Sequence, residues 1–166
     1  MTAKKDIDKF NNRLFYAIKR ALNKGELMAI AKIAISIISK RTRGGFGVKQ
    51  AGGNAERLKK LSSTYVEYRK RSDKLNRGLT TPGKSNLTFT GKLLESLTVK
   101  QVDVIQQKVF INGNRRRRAG GKTNEDVAGF VSEQGREFLN LSRRELEKVA
   151  VAYRRNLVAN LKKQFD

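Results

Sequence analysis

The eight residues 78–85, GLTTPGKS, have the spacing of a phosphate-binding loop, G-x-x-x-x-G-K-[ST]. Such a loop follows a buried apolar strand and starts a helix, because its backbone amides must surround the phosphates. The residues before it, RKRSDKLNR, are too polar for a buried strand, and those after it, NLTFT, do not begin a helix. Pro82 also lacks an amide hydrogen. We therefore interpret the match as coincidental and predict that the chain binds no nucleotide cofactor.

Groups that commonly carry catalysis are scarce. The sequence has no histidine and no cysteine, which removes the commonest general base and every thiolate metal ligand. The carboxylates show no spacing typical of a metal site, and Glu125 and Asp126 suit the start of a helix, where they favour the helix dipole. We predict that the chain is not an enzyme and holds no metal. The carboxylates in question are Asp73, Asp103, Glu125, Asp126, Glu133, Glu137, Glu145 and Glu147.

Positive charge dominates the composition. The 166 residues include 37 lysines and arginines against 15 acidic residues, a formal net charge of +22. Such an excess favours a polyanionic partner, with nucleic acid first and an anionic membrane or acidic protein second. Arg115, Arg116, Arg117 and Arg118 lie in a row within a predicted loop, 112–124. With Lys122, they are predicted to face either DNA or an acidic partner, and contacts to DNA phosphates would not read base sequence.

Long amphipathic helices are predicted towards both ends of the chain. Residues 4–22 have apolar side chains at helical spacing, and Gly25 predicts a kink or break. A second helix, 26–40, is apolar on nearly all sides, so we expect it to be buried within the fold or against neighbouring subunits. Its apolar run is too short to span a membrane, and the first residues do not resemble a signal peptide. Ser142 and Glu145 form a capping box that starts the last helix.

The middle of the chain predicts a capped helical turn followed by a β-hairpin. Thr90 and Gly91 stand where a helix begins, and Leu93, Leu94 and Leu97 follow at helical spacing. The apolar period then changes to two across residues 98–111, which is typical of strands.

The remaining segments connect these elements. Residues 41–54, 76–86 and 112–124 are predicted to be mobile basic or glycine-rich loops, and 55–75 to be short helical pieces with a cap at Ser62 or Ser63. A short helix from Asn124 ends at Gly135, and 137–141 is extended. The sequence therefore predicts a single α+β domain over 1–166, with long terminal helices packed on a small antiparallel sheet.

Several segments, taken in order, resemble the phage virion-morphogenesis, or tail-completion, family. Residues 41–46 are similar to its RT-x-x-GF stretch, 58–65 to its Leu-x-x-Leu-Ser-x-x-Tyr segment, and 136–142 to its R-x-F-L-x-L-S segment. The family commonly has proline where this chain has Glu137. The residues that match the turn motif L-x-x-TG-x-L-x-x-S are Leu87, Thr90, Gly91, Leu93 and Ser96, and those that match the apolar pair of the last segment are Phe138 and Leu139.

The resemblance implies a structural virion protein assembled in the host cytoplasm. Members of the family form a homo-oligomeric ring at the head–tail junction, joining the capsid portal or its adaptor to tail proteins around the DNA channel. The net charge fits non-specific contacts with packaged double-stranded DNA. A second hypothesis is a basic nucleic-acid-binding module without sequence specificity, which would act as a monomer or dimer. A third, a nuclease or nucleotide hydrolase, rests only on GLTTPGKS and the scattered carboxylates.

Overall fold

The computed structural model describes Arg13, Tyr16 and residues 24–78, 80–103, 106–112 and 121–165. Within these residues the chain has the predicted α+β class, with five helices and two separate antiparallel strand pairs. In chain order the elements are α1 (Lys24–Arg43), β1 (Phe46–Gly47), β2 (Glu56–Arg57), α2 (Ser63–Arg71), α3 (Lys92–Glu95), β3 (Leu97–Asp103), β4 (Gln106–Ile111), α4 (Asn124–Glu133) and α5 (Arg143–Phe165).

The predicted amino-terminal helix, 4–22, falls mostly outside the described residues. Of that segment, the structure describes Arg13 and Tyr16, and both are helical and exposed. Gly25, where a kink or break was expected, lies inside the first turn of α1 as described.

The β3–β4 hairpin confirms the period-two prediction. Leu97 lies opposite Ile111, and Val99 lies opposite Val109, so both pairs present apolar side chains to the same face. Lys100 and Lys108 are exposed on the other face. The short helix α3 leads directly into β3, because Gly91 takes a left-handed backbone conformation (φ 80°) that positions the chain for the turn.

The core lies where the carboxyl-terminal half of α1 meets the hairpin. Ile38 from α1 packs with Leu97 and Ile111 from the two strands, and Ala128 brings α4 against them. Phe138, from the extended segment between α4 and α5, is almost completely buried in the same cluster. Helix α1 also packs on α5, and Glu26 near its amino terminus accepts a hydrogen bond from Asn156.

Helices α1 and α5 run antiparallel. The Asn156 amide donates to the Glu26 carboxylate over 3.3 Å at one end, and Arg41 pairs with Glu145 at the other. The buried residues of α1 recur every three or four positions, so they lie on one face of this helix. Burial of its other faces against neighbouring subunits stays a prediction. The buried residues are Ala31, Ala34, Ile38 and Thr42.

The interpretation of 41–54 as a loop needs correction. Arg41–Arg43 complete α1, and Phe46–Gly47 form β1. β1 pairs with Glu56–Arg57, so the start of 55–75 is a strand and not the predicted helical piece. Val48 is fully buried, and the Gly52 amide donates to the Leu141 carbonyl over 2.8 Å. The segment is therefore attached to the core at several points, and its predicted mobility stays a prediction.

The predicted caps of α2 and α5 are confirmed, whereas the predicted capped turn at α3 starts at Gly91 without a side-chain cap. Ser62 caps α2 by accepting from the Tyr65 amide, and Ser142 with Glu145 forms the capping box of α5. Helix α4 ends at a left-handed Gly135 (φ 71°), where the Arg136 amide donates to the Val131 carbonyl and the Gly135 amide to that of Ser132. These local signals fix where the helices start and stop, and so where the extended segment 136–142 crosses the core.

Candidate interaction surfaces

The predicted DNA- or partner-facing residues are only partly visible. Arg115 to Arg118 lie outside the described residues. Lys122 is exposed, and its Nζ lies 5.4 Å from the centroid of the Phe130 ring, within cation–π range. Lys122 therefore adjoins an exposed aromatic side chain of α4.

The residues of the turn motif build structure. Leu87 has an unusual positive φ of 54° and packs against the core, and Leu93 is buried in it. The Ser96 hydroxyl donates to the Leu93 carbonyl over 2.7 Å, which closes the end of α3. Thr90 is half-buried just before the left-handed Gly91. The motif thus shapes the turn that leads into the hairpin.

The motif residues near α5 differ from each other. Phe138 lies in the core, whereas Leu139, its neighbour, is exposed on the surface. This alternation is expected for an extended segment, in which successive side chains point in opposite directions. Leu139 is therefore available for contact with another molecule.

The extended segment is held by Arg41. Its guanidinium donates to the carbonyls of Phe138 and Asn140 and pairs with the Glu145 carboxylate, 2.6 Å from Nη1. The Arg41 and Glu145 side chains are 7% and 12% exposed, so the pair is largely shielded from water. The same carboxylate accepts from the backbone and hydroxyl of Ser142 at the start of α5. Arg41 thus joins the end of α1 to the start of α5.

The phosphate-loop-like segment has a structural role. Arg69, buried beneath it, donates to the Lys84 carbonyl over 2.9 Å and to the Thr80 hydroxyl over 3.2 Å. The Thr80 hydroxyl donates to the side chain of buried Asn86, which in turn donates to the Arg43 carbonyl. These bonds hold the loop to the neighbouring parts of the chain. The segment is not flanked by the strand and helix that phosphate binding requires.

We expect the double variant Gly83→Ala/Lys84→Ala to keep its fold and stability. No atom lies within 4 Å of a Cβ placed on Gly83, and the Lys84 side chain is exposed. The change in the free energy of unfolding should stay within about 0.5 kcal/mol, the usual range for surface substitutions. Urea unfolding measures it, and nucleotide binding by the unmodified chain that the double variant loses would contradict our interpretation of the motif.

An aromatic cluster was missed in the sequence. Tyr65 and Tyr68 of α2 stack with ring centroids 6.0 Å apart, and Phe89 lies 6.0 Å from Tyr68. The buried guanidinium of Arg69 lies against the Tyr65 and Phe89 rings at 5.9 and 5.6 Å. Burial lowers the pKa of Arg69, partly offset by Tyr65. Lys70 and Arg71 are exposed on the same helix, so exposed rings lie close to positive charges.

The described residues hold no group of three or more side chains that suits a metal ion. Among the same residues, no helix is both long enough and apolar enough to cross a membrane. Comparison of the chain with protein-family models, curated proteins and solved structures found no match.

Proposed function

We propose that the chain is a structural subunit of a bacteriophage neck. In this proposal, copies form an oligomeric ring that joins the capsid portal or its adaptor to the tail, around the channel through which DNA passes. The ring is assembled in the host cytoplasm and remains in the virion at the head–tail junction. We assign it no catalysis and no cofactor.

The α1–α5 pair is the observation that carries the proposal. Apolar side chains of both helices are half exposed along the pair, and those of α5 include the exposed Leu146. Apolar area left accessible to water in this way commonly marks an interface, because covering it removes that area from water. Neighbouring subunits in a ring would cover it. The half-exposed apolar residues are Leu27, Met28, Ile30, Ile33 and Ile37 of α1 and Val149, Ala150, Tyr153, Leu157 and Leu161 of α5.

The charge of the chain supports a place beside DNA. A channel lined with lysine and arginine holds the packaged double-stranded DNA through its phosphates without reading the base sequence. In our proposal, Arg115 to Arg118 and Lys122 face either this DNA or an acidic partner in the neck. The motifs that resemble those of the tail-completion family occur in the same order, which supports the same setting. The turn motif among them forms one unit between α2 and the hairpin.

The test is the mass of the purified protein in solution. We expect light scattering at low and high salt to give a multiple of the 18.8 kDa chain mass, and electron microscopy to show closed rings, with or without neck partners added. Both salt conditions are needed because screening weakens the repulsion between copies that each carry a charge of +22. A strict monomer at every concentration, even with portal and tail proteins present, would contradict the proposal.

A basic nucleic-acid-binding module is the second candidate, and the aromatic cluster favours it. Exposed Tyr65 and Tyr68 beside Lys70 and Arg71 combine surfaces for base stacking and for phosphate contact. A monomer that forms no ring with any partner, and whose DNA affinity falls by about a thousandfold or more between 50 and 200 mM salt, would support this candidate instead.

A further inference from the structure

Helix α4 presents an acidic face in a strongly basic protein. Residues 123–135 contain three carboxylates and form the longest stretch of the sequence without lysine or arginine. Glu125, Asp126 and Glu133 are all exposed, and Phe130 lies among them with 52% of its surface exposed. The Thr123 hydroxyl and backbone amide hold the pKa of Asp126 below its ordinary value, so this carboxylate stays ionised. The face thus combines three carboxylates with an exposed aromatic ring, and it is bordered by Lys122, whose Nζ lies 5.4 Å from the centroid of that ring.

Helix α5 presents an opposite kind of face. Six exposed residues recur with the alternating spacing of four and three that places side chains on one stripe of a helix. This outer face points away from α1, because the partly buried residues Val149, Tyr153 and Leu157 lie on the opposite side of the helix. Its valines, Val151 and Val158, are 62% and 52% exposed. The outer face consists of Arg144, Lys148, Val151, Arg155, Val158 and Lys162.

The two faces complement each other in charge and in apolar content. We propose that the acidic face of α4 in one copy docks on the outer face of α5 in the next copy, so that copies join head to tail. The carboxylates would pair with Arg144, Lys148 or Arg155, and the Phe130 ring would cover an exposed valine. Because the two faces are different surfaces, the contact repeats in one direction and can close into a ring. The inference rests on the proposed ring and names the surfaces that build it.

A second copy fits these faces better than the alternatives. Within one chain, α4 packs on α3 and β4 whereas α5 packs on α1, and none of the described ion pairs joins the two faces. DNA would pair with the cations of α5 but would leave the two valines uncovered and would repel the carboxylates of α4. Two copies of the α5 face would repel each other, and so would two copies of the α4 face. Among contacts between two copies through these faces, only the mixed contact brings opposite charges together.

Charge reversal on each face tests the contact. The acidic-face variant carries Glu125→Lys and Glu133→Lys, and the basic-face variant carries Arg144→Glu and Arg155→Glu. Each should raise the concentration needed for half-assembly by about a hundredfold or more, because like charges then oppose each other. The chain with all four substitutions keeps its net charge and should assemble within about threefold of the original. An equimolar mixture of the acidic-face variant and the basic-face variant should also assemble. Sedimentation velocity measures all of these.

Matched controls separate local pairing from total charge. Glu67→Lys with Asp73→Lys changes the net charge as the acidic-face variant does, and Lys60→Glu with Lys74→Glu as the basic-face variant does, at exposed positions outside both faces. These controls should shift half-assembly by less than about fivefold. Circular dichroism checks that each variant is folded. If rings form and the reversed faces assemble as well as the original, the α4–α5 contact is wrong and the ring proposal stands.

A disulfide test covers the case in which no closed ring forms. Because the sequence has no cysteine, Glu133→Cys and Lys148→Cys can be introduced into separate chains without competing thiols. On oxidation of the mixed, concentrated proteins, we expect the disulfide between the two different variants to exceed either homodimer by about tenfold. This result without rings would support the contact while contradicting the ring. A statistical mixture of the three dimers would overturn the contact.

Discussion

Replacing Arg41 by alanine is expected to lower the free energy of unfolding by about 3–5 kcal/mol, the usual cost of removing one partner of a shielded ion pair. The substitution leaves the Glu145 carboxylate without its cation and removes two hydrogen bonds to the carbonyls of Phe138 and Asn140. Since a domain of this size is stable by only about 5–15 kcal/mol, the loss is a large share of the total. Urea unfolding followed by circular dichroism measures it.

Two further variants identify the cause of the loss. Arg43→Ala removes an exposed arginine from the same end of α1 and should change stability by no more than about 0.5 kcal/mol. Arg41→Ala combined with Glu145→Ala should cost less than the sum of the two single changes, because the second change removes the unpaired charge. Equal effects of Arg41→Ala and Arg43→Ala would show that the Arg41 contacts do not stabilise the fold.

Replacing Gly47 by alanine is expected to cost about 3 kcal/mol, at the upper end of the range for overpacking. A Cβ at this position would lie 2.0 Å from the Glu137 carbonyl oxygen and 2.7 Å from a methyl group of Leu58. The carbonyl belongs to the backbone and also accepts from the Val48 amide over 3.2 Å, so it cannot move without breaking that bond. We therefore expect β1 to separate from the extended segment 136–142.

Hydrogen exchange reports that separation directly. The Val48 amide should lose protection in Gly47→Ala, together with the Gly52 amide, which donates to the Leu141 carbonyl. Gly53 would be a poor control because an added Cβ there meets the Gln50 carbonyl oxygen at 3.0 Å, whereas Gly83 has open space around it. Stability and exchange unchanged from those of Gly83→Ala would contradict the close approach at Gly47.

The parts of the fold that were predicted correctly rest on local signals. Ser62, Ser142 and Glu145 cap helices through bonds that span three residues, so their effect is visible in the sequence alone. The hairpin follows from a period of two, and Gly91 and Gly135 take the positive φ that glycine allows. Where the structure depends only on a few neighbouring residues, the sequence was sufficient.

The parts that were missed depend on residues far apart in the chain. Strands β1 and β2 have two residues each, which is too short for any periodicity to show. Nothing in the sequence marks Arg41 and Arg69 as buried, because arginine is rarely buried and their acceptors become apparent only when the chain is folded. Helix α1 is apolar on nearly all sides, but its buried residues among those described lie on one face, so burial of the other faces against neighbouring subunits stays a prediction.

The candidate surfaces also combine features that are apparent in the sequence with features that become apparent only in the fold. The exposed cations of α5 are apparent in the sequence. That they lie on the side of α5 opposite α1 becomes apparent only from the antiparallel packing of the two helices. The acidic face of α4 had a sequence signal, the long gap between Lys122 and Arg136 without any basic residue, and that signal was overlooked. The aromatic cluster had none, because Phe89 joins Tyr65 and Tyr68 only through the fold.

The three acceptors of Arg41 also set an order of events during synthesis. They lie 97 to 104 residues further along the chain, so α1 leaves the ribosome long before its partners are made. At a translation rate of about 5–20 residues per second, roughly 5–20 s pass before Glu145 can reach Arg41. The apolar face of α1 has no native partner until the hairpin is made, and the Arg41 guanidinium has none until the segment from Phe138 onwards follows, so both are meanwhile available to other molecules. Closure of the fold is therefore a late step, and slowing translation after residue 43 should lengthen the time for which this helix is exposed.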